Sequence, residues 1–537
     1  MRPLTRTGSG ETSTRDLARL LEDFVCRGIH LWAENGRLRF RAAGGSLTLE
    51  DRGLLQQHER EILSLLRAER GCDVPDVPGS EAVWLASDAQ AGFVRDPNPA
   101  NMQTTLVFAA GFDLGAFCAA LDGLFERHSV LRTRYLDGVD GRLWAVTQSS
   151  VTLCVRVLDF TALASLSREQ AVVTARSALV DRQFDPGEAP LLRIGVFLID
   201  EQRTQVTFAV HHSIFDGESR AVLYSELRSL YGTARQPTVL PPLPMQFKDA
   251  AREQREWLEG PRTHPHLEYW RRHLRGVPGI GWLPADRRTP VADTANLPHV
   301  HGEVSEAILD KLNALARERR STLFAIAYAA FAIVLSRWSA LTDICTWVCH
   351  HGRRRTEYLP LIGCFLTYWL MRTDLSADPS FLEVIRRVHQ EYVQSLPHLG
   401  LPVRKLAPLL KQIRRVDPHP GVVFTYHGNT GRDAHEGSMR LGVSHKDSPA
   451  GFGRIVPASP LGLKIDVREV DDALVWSFDH MSHRFEEDTI ERASRAFGQV
   501  LSAAASDPEQ PISALLRHRI NMVPAEPAAL PREGESV

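Results

Sequence analysis

The chain has 537 residues, 43% of them hydrophobic and 24% charged, with a formal net charge of -2. That is a globular balance, long enough for about three core-forming units, and its near-neutrality argues against bulk binding of DNA or RNA. Seven cysteines, at Cys26, Cys72, Cys118, Cys154, Cys345, Cys349 and Cys364, form no secreted framework, and neither a signal core nor a run of ~18 apolar residues appears, so a cytoplasmic protein with no membrane span is expected.

In chain order, residues 1–12 read as disordered and 13–69 as a small module of its own. Ser13 or Thr14 can cap a helix whose apolar stripe is Leu17, Leu20, Leu21, Phe24 and Val25, closed by Gly28. Ile29–Ala33 and Arg37–Ala42 then flank Glu34-Asn35-Gly36, a strong hairpin signal. One hairpin face carries Ile29, Leu31, Ala33, Leu38 and Phe40, and the other His30, Trp32, Arg37, Arg39 and Arg41. Alternating arginines can blunt a solvated edge. They can equally form a cationic strand that captures an acidic, extended peptide, with Trp32 as apolar anchor. Thr48 opens a second helix with Asp51 three residues on.

Residues 70–79 form a Pro/Gly linker, after which strand-like and helix-like stretches alternate to about 515. Thr104–Ala109 reads as a strand and Leu114–Phe125 as a helix. Leu309–Trp338 reads as helical and, from Leu323, as a buried core helix. Gly428–Ser448 reads as a mobile loop, His480 and His483 as surface residues, and 516–537 as a tail. Cys345, Cys349, His350 and His351 have the look of metal ligands, but strand alternation separates His350 from the other three, so no metal is expected there.

The chemistry concentrates in His211-His212-Ser213-Ile214-Phe215-Asp216-Gly217, which follows the apolar strand Val206–Val210. Two histidines alone would read as a polar strand end. A histidine held at a strand end can take or give a proton near neutral pH, an aspartate four residues on can orient that histidine as a triad acid does or turn away and brace the loop, and a glycine permits unusual backbone angles. His212 is the candidate for proton transfer or for positioning a nucleophile. His211 reads as a hydrogen-bonding support, and the Gly217 N–H at the following helix start as a donor to a developing oxyanion.

Two resemblances follow from these motifs. Residues 13–69, through Gly28-Ile29-His30-Leu31-Trp32 and Asn35-Gly36-Arg37-Leu38-Arg39-Phe40, resemble the β-hairpin docking domains of assembly-line synthetases. Such domains imply binding of a C-terminal linear motif on an upstream acyl or peptidyl carrier protein. Residues 80–515 resemble the condensation domains of nonribosomal peptide synthetases, through the histidine motif, Arg127-His128 to Tyr135, Gln246–Ala250, Leu361–Arg372 and His389-Gln390. That family implies an α/β (α+β) fold of two chloramphenicol-acetyltransferase-like lobes in a V, with an N-lobe over 80–260 and a C-lobe over 261–515. It implies a tunnel with the histidine motif at its middle, and Arg372, matching the family arginine, as structural brace to Asp216. Phe365-Leu366-Thr367-Tyr368 departs from the family by lacking its asparagine, and Ser87-Asp88-Ala89-Gln90 is a weak match to the opening motif.

The resemblance implies acyl transfer from a carrier-bound phosphopantetheine thioester, with no cofactor held by the chain itself. No carrier or adenylation motif follows 515. The expectation is therefore a free-standing enzyme that releases an acyl chain onto the hydroxyl or amine of a free small molecule, as an ester or amide. This layout resembles ester-forming chain-releasing enzymes of the enacyloxin type. The alternatives are amide formation between two carrier-bound substrates and a non-catalytic recruitment platform.

Overall fold

Apolar and polar residues alternate on both sides of Asn35-Gly36, and the chain pairs there as a hairpin. β1 (Ile29–Glu34) runs antiparallel to β2 (Arg37–Ala42), with Trp32 opposite Arg39 and Glu34 opposite Arg37. The structure, a computed structural model, describes residues 24, 27, 29–34, 37–42, 48–59, 62, 77–96, 101–138, 141–232, 240–284, 286, 299–410, 421–428, 439–441, 462–470, 472–480 and 484–515. Most of the expected first helix, the linker up to 76, His483 and the tail lie outside these residues. Thr48 and Asp51 form the expected reciprocal cap at the start of the Leu49–Gln57 helix. Asp51 also pairs with Arg27, whose guanidinium holds its carboxyl well below the usual range.

The first lobe is built from β3 (Ser80–Leu85), β4 (Asn101–Phe108), β5 (Thr133–Asp137), β6 (Leu143–Gln148), β7 (Val155–Asp159), β8 (Leu192–Asp200) and β9 (Arg203–His211). The second uses β10 (His299–Val304), β11 (Asp343–His350), β12 (Thr367–Asp374), β13 (Val422–His427), β15 (Leu463–Val470) and β16 (Ala473–His480); between β13 and β15 in sequence lies β14 (Met439–Leu441). The sheet orders are β3-β6-β5, β14-β4-β9-β8-β7 and β10-β16-β15-β13-β11-β12. The chain of the second lobe thus lends β14 to the first, where Met439–Leu441 pairs antiparallel with Leu106–Phe108. Part of the segment expected as a loop from Gly428 is therefore a strand, because β4 would otherwise present an unpaired edge; 429–438 and 442–448 lie outside the described residues.

Each lobe has its own core. Phe117, Leu121 and Leu124 on the Leu114–Arg127 helix pack with Phe208, Leu223 and Leu227 in the first. Phe331, Phe424, Phe478 and Phe497 meet in the second. The Phe247–Glu259 helix serves both, through Phe247 and Ala251 on one side and Leu258 on the other.

The expected continuous helix from Leu309 is in fact two, Glu306–Glu318 and Leu323–Ser339, bent by 108°. Arg320 takes a left-handed φ of 49°, and the Thr322 side chain accepts the Ala325 N–H to start a new helix. Ala325–Leu335 is buried throughout, which accounts for its apolarity. No single helix among the described residues is long and apolar enough to cross a membrane.

This packing sets two unequal costs. Phe331→Ala, at a fully buried ring, should lose about 3–5 kcal/mol. Thr322→Ala should lose about 1 kcal/mol, the usual value of a helix cap. Urea denaturation followed by circular dichroism checks the ranking, and equal losses would contradict this account of the core.

Candidate functional site

The histidine loop is a strand end turned sharply into a helix. β9 stops at His211, a short turn spans His212–Ile214, and a helix begins at Gly217. The Ser213 N–H donates to His211 Nδ1 at 3.2 Å, and Ser213 Oγ lies 2.7 Å from the same nitrogen, so His211 clamps the turn. His212 is 2% exposed and stacks on Phe93 at 3.9 Å and 7°. Its Nδ1 faces the Cys364 sulfur at 4.0 Å. Burial pushes both histidines down to about 4, so His212 is neutral at physiological pH.

The first lobe fixes this turn from behind. Ser87 caps the Asp88–Val94 helix and Gln90 completes a reciprocal cap. Gln90 Nε2 donates to the Tyr135 oxygen at 2.8 Å and to the Ser213 carbonyl at 3.2 Å, and Tyr135 donates to that carbonyl at 3.1 Å. The weakly matching opening motif therefore holds the loop, and Phe93 on the same helix supplies the ring under His212.

Asp216 turns away from His212, as expected, but its partner is not Arg372. Arg353 Nη1 donates to Asp216 Oδ2 at 2.6 Å and Nη2 to Oδ1 at 3.0 Å, with both side chains at most 2% exposed. Arg372 instead pairs at 2.7 Å with Asp343 on the adjacent strand, and donates to the carbonyls of His273 and Arg275. Arg372 lies within β12, opposite Cys345. Arg353 sits in the turn after β11, which brings it across to the first lobe. Gly352 makes that turn feasible: φ is +69°, and a β-carbon would lie 1.8 Å from the Phe365 carbonyl oxygen.

Gly217 does not use the unusual backbone angles open to a glycine. It is absent from the positive-φ positions among the described residues. It opens the helix, where the first N–H groups have no intrahelical acceptor, and Asp216 Oδ1 accepts the Ser219 N–H at 2.8 Å. A β-carbon at Gly217 would sit 3.9 Å from the His427 ring of the second lobe. His427 Nε2 is 3.1 Å from Asp466 Oδ1, and Lys464 Nζ is 2.6 Å from Asp466 Oδ2. Lys464 and Asp466 are both buried, and the lysine and arginine beside Asp466 help hold its carboxyl far below the usual range despite that burial. The sequence pattern points to none of these three residues.

Arg39 and Phe40 of the hairpin are exposed, the latter at 45%, while Ile29 on the same predicted face as Phe40 is buried. The side chains of Trp32, Arg37 and Arg41 lie outside the described residues. Cys345 and Cys349 are thiols that burial pushes up, Cys349 to about 12. His350 and His351 accept the N–H groups of Gly352 and Arg353 at 3.0 and 3.1 Å, so they shape the arginine's turn. Among the described residues no group of three His, Cys, Asp or Glu is placed to hold a metal. His480, expected at the surface, is 1% exposed at the end of β16, and burial lowers it to about 4.

The corrected brace is testable. Arg353→Ala leaves Asp216 buried and uncompensated and should cost about 3–5 kcal/mol. Arg372→Ala, at a quarter-exposed pair, should cost about 1–2 kcal/mol. Denaturant midpoints of the two variants decide between Arg353 and Arg372 as the brace.

The condensation-domain family matches residues 91–519, and the TubC N-terminal docking domain matches 17–68. A linear gramicidin synthase from Brevibacillus parabrevis is 29% identical over 470 residues, 87% of this chain and 9% of that protein. The chain thus spans under a tenth of that relative's length. The condensation domain from monacolin K polyketide synthase MokA shares the fold with a TM-score of 0.69 at 18% identity, covering 81% of this chain and 100% of its own. The EpoB cyclization-docking bidomain from Sorangium cellulosum gives 0.63 at 19% identity, covering 92% and 99%. With its paired lobes meeting at a braced histidine loop and a family match over most of its length, the chain belongs to the condensation-domain family and carries a TubC N-terminal docking domain.

Proposed function

We propose that this chain transfers an acyl group from the phosphopantetheine thioester of a carrier protein to the hydroxyl or amine of a free small molecule, releasing an ester or amide. The observation that carries this reading is a neutral, buried His212 beside Cys364, which lines an open cavity of about 650 Å³. That volume suits a small acceptor. The docking domain supports capture of the donor carrier through a C-terminal linear motif, with Trp32 of β1 and Arg37, Arg39 and Arg41 of β2 as the contact face.

In the reaction, the acceptor oxygen or nitrogen attacks the thioester carbonyl carbon. The new C–O or C–N bond forms, the C–S bond breaks, and the acceptor's proton passes by way of His212 to the departing pantetheine sulfur. His212 serves as proton acceptor or as the group that positions the nucleophile, and the Gly217 N–H faces the developing oxyanion. His211 and Asp216 keep the loop in shape.

Loaded carrier incubated with candidate alcohols and amines should lose its acyl group by intact mass. His212→Ala should slow this about 10²–10⁴-fold. Because the free protein's His212 is lowered to about 4, protonation removes the neutral form only below that value. The acid limb of the rate profile should therefore fall near pH 4 rather than 6.5. Equal rates for wild type and His212→Ala would favour a recruitment role. Charge reversal at Arg39 and Arg41 should abolish capture of an acidic carrier tail, read by titration.

A further inference from the structure

The cavity lies between the Phe247–Glu259 helix, the turn carrying Gly352, Arg354 and Arg355, and the start of β12. Cys364 on its wall brings it to the ring of His212. Its charged lining residues are not equivalent. Arg355 is satisfied by Glu253 at 2.7 Å and Glu357 at 2.8 Å, and Glu253 also accepts from the Tyr358 hydroxyl at 2.8 Å.

Arg354 has no carboxylate partner among the described residues. Its guanidinium carbon lies 5.0 Å from the centre of the Trp257 ring. Gly400, also on the cavity wall, has φ of +99°, and a β-carbon there would come 2.6 Å from Arg354 Nη1. An aromatic ring and a glycine therefore lie beside this exposed cation on the cavity wall. Surrounding protein lowers its pKa, yet a guanidinium stays charged at any working pH. A charged fork with no carboxylate partner among the described residues, on the wall of a cavity that reaches Cys364 beside His212, is matched to an oxyanion brought by the ligand.

We propose that Arg354 is the anion-recognising residue of this cavity, taking either a carboxylate on a small acceptor or the phosphate of a carrier arm. The assignment rests on the acyl-transfer reading for its purpose, but its test reads binding alone. Isothermal titration would compare 3-hydroxybutyrate with 3-hydroxybutyramide, and phosphopantetheine with pantetheine, on the full chain. In the wild type the anionic member of one pair should bind about tenfold or more tightly than its neutral counterpart. The responding pair identifies the source of the anion.

Arg354→Gln should erase that preference, and Arg354→Lys, which keeps the charge but loses the fork, should retain part of it. Arg354 is exposed, so neither change should disturb folding. Equal binding within both pairs in the wild type, or a preference that survives Arg354→Gln, would overturn the proposal. If no free acceptor supports release while the phosphopantetheine preference stands, the release reading fails and the anion site does not.

Discussion

One buried ion pair sets the geometry on which the rest depends. The two oxygens of Asp216 accept from Ser219 N–H and Oγ, both terminal nitrogens of Arg353, and the Phe365 N–H. Burying a carboxylate and a guanidinium is costly unless each lone pair and proton is used, and such a pair adds little net stability even then. What it does fix is register between lobes. Asp216 belongs to the loop carrying His212, Arg353 to the turn after β11, and Phe365 to the segment carrying Cys364. Ser219 Oγ also meets Gly363, accepting its N–H at 3.0 Å. A shift of the second lobe against the first would break the contacts with Arg353, Phe365 and Gly363 at once.

Polar stretches of the first lobe serve the same end from the other side. His128 Nε2 is 2.8 Å from Glu226, which leaves its Nδ1 to accept the Ile362 N–H at 3.4 Å. Gln246 accepts from Ser129 and donates to the Arg127 carbonyl. Gln90 and Tyr135 hold the Ser213 carbonyl. Residues far apart in sequence thus act on two short backbone segments, 213–216 and 361–365, whose approach forms the site. This explains why several motifs had to occur together before the histidine pair became informative.

Local chemistry was the legible part of the sequence. The Thr48 cap, the hairpin register and the strand leading to His211 follow from short-range rules, and each is observed. Partners across the lobes were not legible. The family resemblance implied Arg372 beside Asp216, and the turn at Gly352 brings Arg353 there instead. Lys464, Asp466 and Arg468 alternate with Leu463, Ile465 and Val467, a pattern that ordinarily marks a strand with one wet face. Here β15 lies inside the six-stranded sheet, and Lys464 and Asp466 are buried toward the first lobe. His480 misled for the same reason, since a polar neighbourhood in sequence says nothing about which element covers it.

Burial has opposing effects on His212. It keeps the imidazole neutral and able to accept a proton, but a group lowered from 6.5 to about 4 is a weak base, by roughly 3 kcal/mol. Asp216 relieves this only in part: its charge raises His212, but its oxygens hydrogen-bond Arg353, Ser219 and Phe365 rather than the imidazole. Among the described residues no carboxylate hydrogen-bonds the His212 ring, unlike the acid of a catalytic triad. In the proposed reaction the rest of the offset must come from the substrate itself: the tetrahedral oxyanion appears as the proton arrives, and each charge stabilises the other. Attack and proton transfer are then coupled, and an alcohol acceptor depends on that coupling more than an amine, which can attack first and lose its proton afterwards.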